Sequence, residues 1–222
     1  MAFKILGVNA SPFVRKTRAF FAEKGVPYAI EQINPFGPPP GWRDVSPLGR
    51  VPALDHDGRV INDSSIICAY VEKLHPEPAL YPSDAFEYAR AVWVEEFIDG
   101  GVIPFGAAGV FRPLVLQPLF SGGKEPDAAA IAGAEKVLRE NLAPLFAYLE
   151  SQLGSRDYFV GNRVTIADLA VGTVFVNLRH AGFPPDAGRL PQLAAFVDRM
   201  HARPSFKALI EEERPIFGKR WK

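Results

Sequence analysis

The sequence predicts two domains of different class, an α/β domain over residues 1–78 and an all-α domain over residues 85–222. Up to about residue 82, apolar runs of strand length alternate with helical patterns, and beyond it only helical spacing remains. Three prolines between the two regions, Pro76, Pro78 and Pro82, indicate a linker. A chain of 222 residues is long enough for both parts to bury a core.

The first domain opens with a strand and a helix. Residues 3–8 form a short apolar run that suits a buried strand. Ser11 then provides a helix N-cap, Pro12 a favoured first helical residue, and Gly25 the stop. The helical projection places one set of residues on the packed face and predicts that the charged set faces away from it: Phe13, Thr17, Phe20 and Phe21 against Arg15, Lys16, Arg18 and Glu23.

A second strand and a long loop come next. Residues 28–33 indicate the strand. The densest proline cluster of the chain follows, and it predicts a loop without any helix between Pro35 and Pro47. The prolines of this cluster are Pro35, Pro38, Pro39, Pro40 and Pro47.

A hairpin and a helix complete the first domain. Residues 51–54 and 59–61 flank the pair Asp57-Gly58, which is a strong hairpin signal. Asp63 and Ser64 then cap a helix. The order of elements predicts a small mixed sheet, with a parallel pair joined by a helix and an antiparallel hairpin.

The second domain is predicted to be helical throughout. Apolar residues repeat at helical spacing from Phe86 to Phe97, and a Gly/Pro-rich interval over residues 100–126 predicts that the helix bends, breaks or loops out. Residues 128–153 indicate another long helix. Thr165 and Asp168 have the spacing of a capping box, which predicts a structural role outside any active site.

Composition and charge exclude several classes of protein. Lys and Arg number 25 and so do Asp and Glu, so there is no basic field for a nucleic acid. The longest apolar run, residues 102–111, is short of the ~20 residues that span a bilayer, and no signal peptide is recognisable. We therefore expect a cytoplasmic protein without a membrane partner.

The ligands for a metal site are not evident in the sequence. Cys68 is the only cysteine and is expected to be a small buried hydrophobe, since one thiol forms neither an internal disulfide nor a multi-thiolate centre. The four histidines show no ligand spacing: His56, His75, His180 and His201. We assign no metal.

Ser11 lies at the turn from the first strand to the first helix. Locally it is only an N-cap, and this is the simpler interpretation. Thioredoxin-like redox proteins carry a C-x-x-C pair at this turn, where this chain has Ser11 and Val14, so dithiol exchange is impossible there. A hydroxyl and free backbone N–H groups at a positive helix end remain, and they suit an external anion.

Four motifs in order and spacing resemble the glutathione transferase superfamily. They are S-P-F-V-R-K-T-R from Ser11, S-P-L-G-R-V-P-A-L from Ser46, N-D-S-S-I-I from Asn62 and T-I-A-D from Thr165. The resemblance covers essentially the whole chain and is to the bacterial type with serine at the thiol-activating position. It implies a thioredoxin-like N-terminal domain over residues 1–78 that binds glutathione, and an all-α C-terminal domain over residues 85–222 that contributes the electrophile pocket.

The resemblance also implies which residues bind glutathione. Pro52 is cis in the family, which turns the Val51 backbone N–H and C=O toward the cysteinyl part, whereas the local expectation for an X-Pro bond is trans. Asp63 and Ser64 match a Glu-Ser pair that holds the γ-glutamyl end, and locally they are only a cap. Arg50 matches a residue that reaches the glycyl carboxylate, and its alternative is a solvated loop charge.

The implied reaction uses the sulfur of glutathione as a co-substrate, with no cofactor. Ser11 is the predicted catalytic residue, which stabilises the thiolate. The electrophile is expected across the domain cleft, with Phe13, Phe105, Phe111 and also Phe97 as aromatic candidates, each of which has core packing as its alternative.

Three functions remain open at this point. The first is a glutathione transferase that conjugates small hydrophobic electrophiles. The second is a glutathione-dependent reductase or peroxidase, against which Ser11 counts. The third is a non-catalytic binding or stress protein of the same fold. The resemblance further implies a homodimer.

Overall fold

The computed structural model describes residues 2–221, and the chain divides into two compact units, Met1–Tyr81 and Pro82–Lys222. The first unit contains a four-stranded sheet with β1 (Phe3–Gly7), β2 (Ala29–Gln32), β3 (Ala53–His56) and β4 (Arg59–Asn62) in the order β2-β1-β3-β4. β1 runs parallel to β2 and antiparallel to β3, and β3 runs antiparallel to β4. The mixed sheet predicted from the sequence is thus confirmed.

Turn chemistry sets the hairpin between β3 and β4. Asp57 and Gly58 both adopt positive φ, 52° and 83°, as the two central residues of a type I′ turn require. The Asp55 carboxylate accepts a hydrogen bond from the Gly58 N–H at 2.7 Å and holds the turn closed. The hairpin predicted from the Asp-Gly pair is confirmed, although its first strand runs over Ala53–His56 and not over residues 51–54.

In the described residues of the first unit, three helices flank this sheet: α1 (Pro12–Lys24), α2 (Trp42–Val45) and α3 (Ser64–Leu74). Gly25 ends α1 at φ 64°, in the left-handed conformation predicted for a glycine stop. The prediction that the proline-rich loop contains no helix was wrong. The four residues of α2 lie between Pro40 and Pro47 and contain no proline, so one turn forms and buries Trp42.

Three of the four charged residues of α1 that were predicted to face away from the packed face are buried, and only Glu23 is half-exposed, so that prediction was wrong for Arg15, Lys16 and Arg18. Arg15 and Lys16 are 0% exposed and Arg18 is 8% exposed. Their polar groups have partners that the helical pattern does not reveal: Arg15 and Arg18 both bond to Asn9, and Lys16 bonds to the Ser65 hydroxyl. Hydrogen bonds of this kind offset the cost of burying a charge.

The second unit consists of helices in the part of the chain that the structure describes. α4 (Ala85–Phe120) is followed by α5 over residues 128–153, then α6 (Ile166–His180), α7 (Pro191–Ala202) and α8 (Pro204–Phe217). α6 is buried along nearly its whole length, as its apolar sequence predicts, and forms the centre of this unit.

α4 continues through the interval that was expected to interrupt it. Two segments, Phe97–Val102 and Ala107–Leu116, widen into π-helical turns, and Pro113 lies within the second. A wider turn moves the carbonyl that a proline ring would otherwise meet, so the helix persists to Phe120. α4 is long and apolar enough to cross a membrane, and 39% of its most apolar 18-residue window is buried in this structure. The core helix of a soluble protein meets the same criteria of length and composition.

The predicted capping box is present at the start of α6. Asp168 accepts hydrogen bonds from the Thr165 N–H at 2.8 Å and the Thr165 hydroxyl at 2.9 Å through one oxygen, and from the Phe159 N–H at 2.9 Å through the other. Burial raises the pKa of Asp168 to about 6, although these hydrogen bonds act in the opposite direction. The box holds the preceding loop against α6.

Candidate functional site

Ser11 starts α1 with both of its backbone groups engaged. Its N–H donates to the Val8 carbonyl at 3.0 Å, and its C=O accepts from the Arg15 N–H at 2.9 Å. The side chain is half-buried, and Oγ accepts from the Val14 N–H at 3.4 Å. A Cβ on Gly7 would lie 2.5 Å from Val14 Cγ2, so the glycine lets the end of β1 pack closely on the first turn of α1.

The capping bond leaves the Ser11 proton unused. A hydroxyl has two lone pairs and one proton, and the bond from Val14 occupies one lone pair. Over residues 2–221 no protein acceptor is found for the Ser11 O–H. The same oxygen can therefore cap α1 and donate to an external anion. α1 has 13 residues, and the positive end of its dipole lies at this point.

The Val51–Pro52 bond is cis, as the resemblance implies. Val51 is 8% exposed and lies outside the sheet, where the pairing of β3 begins at Ala53. Within the described chain, neither the N–H nor the C=O of Val51 has a hydrogen-bond partner. The loop before it is held by the buried Ser46, whose hydroxyl donates to the Arg50 carbonyl at 2.8 Å. Val51 thus presents a fixed donor and acceptor.

Asp63 and Ser64 divide two tasks at the start of α3. Asp63, at φ 76°, accepts through Oδ1 from the Ser65 N–H at 2.9 Å and the Ile66 N–H at 3.3 Å, so it is the cap. Ser64 is 3% exposed, and its hydroxyl has no partner in the described residues. The Ser64 hydroxyl and N–H are therefore available at the positive end of this helix.

The remaining predicted site residues differ in exposure. Arg50 is exposed, and its guanidinium makes no bond to any described residue. Phe13 is half-buried and Phe105 is 42% exposed, so both rings retain accessible surface. Phe111 is 3% exposed and its ring lies 6.2 Å from that of Phe217. The Phe111 ring thus packs inside the second unit, as the alternative of core packing expects, and its place in the electrophile pocket stays a prediction.

No cluster of three or more metal-ligating side chains occurs within residues 2–221. Cys68 is fully buried in α3, in agreement with its prediction. Sequence reasoning did not reveal that Asn9, two residues before Ser11, accepts a hydrogen bond from Arg18 Nη1 at 2.7 Å. The one signal in the sequence was the position of Asn9 in the turn between the first strand and the first helix.

Two models of one protein family match the chain. One is described as the glutathione S-transferase N-terminal domain and matches residues 10–74, and the other as the C-terminal domain and matches residues 116–213. Together they take in well over half of the chain, and the first spans Ser11, Val51 and Ser64.

The chain is also similar to individual proteins of known name. Glutathione S-transferase U4 of Arabidopsis thaliana is 28% identical over 172 residues, which is 77% of this chain and 69% of the relative. Protein LigF of Sphingobium is 28% identical over 244 residues, 96% and 95% of the two chains. The crystal structure of LigF, described as a beta-etherase, has a TM-score of 0.73 at 22% identity and covers 96% of this chain and 100% of LigF.

A solved complex is among the similar structures. A glutathione S-transferase from Methylobacterium radiotolerans, crystallised with glutathione sulfonate, has a TM-score of 0.71 and 29% identity over 95% of each chain. These similarities confirm the fold class predicted from the sequence, an α/β unit followed by an all-α unit.

Proposed function

Because the chain belongs to the glutathione S-transferase superfamily, we propose that it activates the thiol of glutathione with Ser11 and directs the sulfur at a small hydrophobic electrophile. The observation that carries this proposal is the unused proton of the Ser11 hydroxyl at the N-terminus of α1. As a helix cap the hydroxyl acts only as an acceptor, so its proton remains available. The proton can be donated to a bound thiolate.

The energies of these groups are sufficient for thiol activation. A cysteine-type thiol has a pKa near ~8.5, and lowering it by about two units makes the thiolate the main form at neutral pH. That shift requires about 2.7 kcal/mol. A hydrogen bond to a charged acceptor supplies roughly 1.5–3 kcal/mol, and a helix N-terminus adds about 0.3–1 kcal/mol.

The chemical step needs no general base. The thiol proton leaves to solvent when the thiolate forms, and the sulfur lone pair then attacks the electrophilic carbon. A C–S bond forms, and in a substitution the leaving group departs with its bonding electrons. Ser11 donates to the sulfur before the attack and is released as the sulfur becomes a neutral thioether, so its role is to raise the fraction of nucleophile at neutral pH.

Four further residues support glutathione binding at this site. The unpaired N–H and C=O of Val51 suit the cysteinyl backbone, in the manner of a neighbouring strand. The hydroxyl and N–H of Ser64, at the start of α3, suit the γ-glutamyl carboxylate. Asp63 already caps α3 through Oδ1, so we assign only its second oxygen to the α-amino group. Arg50, free and exposed, suits the glycyl carboxylate.

The alternative functions have less support. A disulfide reductase needs an accessible thiol of its own, and the only cysteine, Cys68, is fully buried. A second candidate is supported by LigF, which matches over almost the full length of both chains and is described as a beta-etherase. In that case the same thiolate would attack the carbon of an ether, a C–S bond would replace the C–O bond, and an alkoxide or phenoxide would leave.

Retention on immobilised glutathione and conjugation of a chlorodinitrobenzene test the proposal. Ser11→Ala should lower kcat/KM by about 10- to 100-fold, the loss of one hydrogen bond to a charged atom. Ser11→Thr retains a hydroxyl and should keep most of the activity, and Ser121→Ala, an exposed serine of the second unit, is the matched control. A wild type that neither binds nor conjugates contradicts the enzyme assignment, and full activity of Ser11→Ala contradicts the role of Ser11.

We also propose that the protein is a cytoplasmic homodimer. Each unit leaves large apolar side chains on its surface, among them Ile66 at 58% exposure in the first unit and Phe86 at 72% in the second. A second copy of the chain would cover such surface. Light scattering after size exclusion should give twice the monomer mass of 24.4 kDa, and Ile66→Glu should shift the protein toward monomer. A wild-type monomer would exclude the dimer.

A further inference from the structure

We propose that Asn9 and Arg18 are positioning residues that hold the Ser11 hydroxyl where a bound thiol needs it. This inference rests on the proposed function of Ser11. Asn9 lies outside the four motifs, and Arg18 is the last residue of the first motif but has no implied contact with glutathione. The basis of the inference is a hydrogen-bonded cluster around the turn between β1 and α1.

Asn9 is the centre of that cluster. It lies two residues before Ser11, and its side chain is buried at 9% exposure. Its Oδ1 accepts from Arg18 Nη1 at 2.7 Å and from Gln32 Nε2 at 3.3 Å. The Asn9 carbonyl accepts from Arg15 Nη2 at 3.5 Å. Side chains from α1 and β2 thus converge on one residue of the turn.

Arg18 connects the turn to the start of β2. Its Nε donates to the Tyr28 hydroxyl at 2.9 Å while Nη1 holds Asn9, so two edges of the guanidinium are in use. The ring of Tyr28 is itself fixed, because it packs edge-on against Phe21 with centroids 5.4 Å apart. Lysine has no comparable planar fork and cannot reproduce both bonds in this geometry.

Ser11 needs such support because its own cap bond is long. The 3.4 Å between Oγ and the Val14 nitrogen lies beyond the usual range for a hydrogen bond to a backbone N–H. A hydroxyl that activates a thiol must point at the sulfur, and a misplacement of about 1 Å can cost about a hundredfold in rate. The Asn9–Arg18 pair fixes the backbone from which Ser11 projects, so it acts on the sulfur through Ser11.

The test measures the pKa of the thiol of bound glutathione, by titrating its ultraviolet thiolate absorbance, for the wild type, Asn9→Ala, Arg18→Lys and Ser11→Ala. Asn9→Ala should raise that pKa by about one unit and lower kcat/KM at neutral pH about tenfold. The Kd for glutathione should change less than about threefold, because Val51 and Ser64 are untouched. Asn34→Ala, an exposed asparagine of the same unit, is the matched control.

A double variant decides whether the two residues act through Ser11. With Ser11→Ala already in place, Asn9→Ala should raise the thiol pKa no further, since the group it positions is gone. Equal rises in both backgrounds would overturn the inference. The inference would also be overturned if the thiol pKa rose in Ser11→Ala but was unchanged in Asn9→Ala and in Arg18→Lys. That result would leave the proposed role of Ser11 intact.

Failure of the proposed function itself has a separate signature. If Ser11→Ala has the thiol pKa of the wild type, Ser11 is no activator, and the inference falls with it. Thermal unfolding of each variant shows whether it folds. If Asn9→Ala does not fold, Arg18→Lys, which keeps the positive charge, takes its place in the test. In that variant a partial rise in the thiol pKa supports the inference, and no rise opposes it.

Discussion

Replacing Asp168 with asparagine is expected to change how the stability of the second unit depends on pH. In the folded chain this carboxyl is fully buried and its pKa is raised from 3.8 to about 6. The folded state therefore binds the proton more tightly than the unfolded state. The contribution of Asp168 to the free energy of unfolding is fully present below pH ~4 and is lost as the pH rises through about 6.

The size of the effect follows from that shift. A shift of about two pKa units corresponds to on the order of 3 kcal/mol, and most of it is lost between pH ~4 and ~7. Asparagine has no proton to bind in this range. The difference in unfolding free energy between the wild type and Asp168→Asn should therefore fall by about 2–3 kcal/mol from pH ~4 to ~7, because all other titrating groups are common to both chains.

Urea unfolding of both proteins at several pH values measures this difference. A constant offset is also expected, since the amide has one acceptor oxygen where the carboxylate accepts from the Phe159 N–H and from Thr165. Asp84→Asn, at the exposed cap of α4, controls for the loss of a capping carboxylate in a solvated place. If the wild type and Asp168→Asn show parallel pH dependence, or if their difference grows with pH, the reasoning is wrong.

Three further changes have expected outcomes. Gly172→Ala should lower the free energy of unfolding by about 1–3 kcal/mol, because a Cβ would lie 2.8 Å from the buried Phe206 ring. Gly133→Ala, where a Cβ would have nothing within 4 Å, should raise it by about 0.5–1 kcal/mol. If thermal unfolding shifts the Tm of both variants in the same direction, this reasoning is wrong. Lys24→Met should lower the free energy of unfolding, measured in urea, by about 3–5 kcal/mol. The buried Lys24 ammonium pairs with the Glu72 carboxylate and donates to the carbonyls of Pro78 and His75 at 2.7 and 2.8 Å. A loss below about 1 kcal/mol would refute this prediction. Ser11→Cys should gain thiol–disulfide exchange on a mixed disulfide with glutathione, and no gain would contradict the thioredoxin-like placement of the residue.

Local chemistry explains why the first unit could be predicted well. The strand of residues 3–8, the stop at Gly25 and the Asp57-Gly58 turn each depend on backbone preferences within a few residues, and the structure has all three. The burial of Lys16 depends on Ser65, 49 residues away, and hydropathy patterns carry no information at that distance. The charged face of α1 was therefore misjudged.

In α4 the helical pattern from Phe86 to Phe97 was correctly interpreted, and the prediction failed beyond it. Each π-helical turn adds a residue to the turn and rotates the following side chains by about 100° relative to an α-helix. Apolar residues after Phe97 therefore no longer follow a period of 3.6. Glycines and prolines over residues 100–126 then resembled a break, although the chain remains helical to Phe120.

The motifs that located the candidate site contain residues that lie at the N-termini of helices. Ser11 starts α1 and Ser64 starts α3, so the pattern that predicts a cap also predicts the site. Whether the hydroxyl of a cap residue still has a proton to donate depends on its hydrogen-bond partners, and these are visible only in the three-dimensional structure. Phe111 shows the opposite case, since an aromatic residue in an apolar helix has the same pattern whether it lines a pocket or a core.

The double use of the Ser11 oxygen constrains what can replace it. Alanine removes both the lone pair that accepts from the Val14 N–H and the proton available to a thiol. It should therefore lower the free energy of unfolding by about 1 kcal/mol as well as the rate of the reaction. An activity loss in that variant has to be corrected for the fraction of unfolded protein. Threonine preserves both atoms, and we expect this position to tolerate a hydroxyl-bearing side chain and little else without losing one of its two roles.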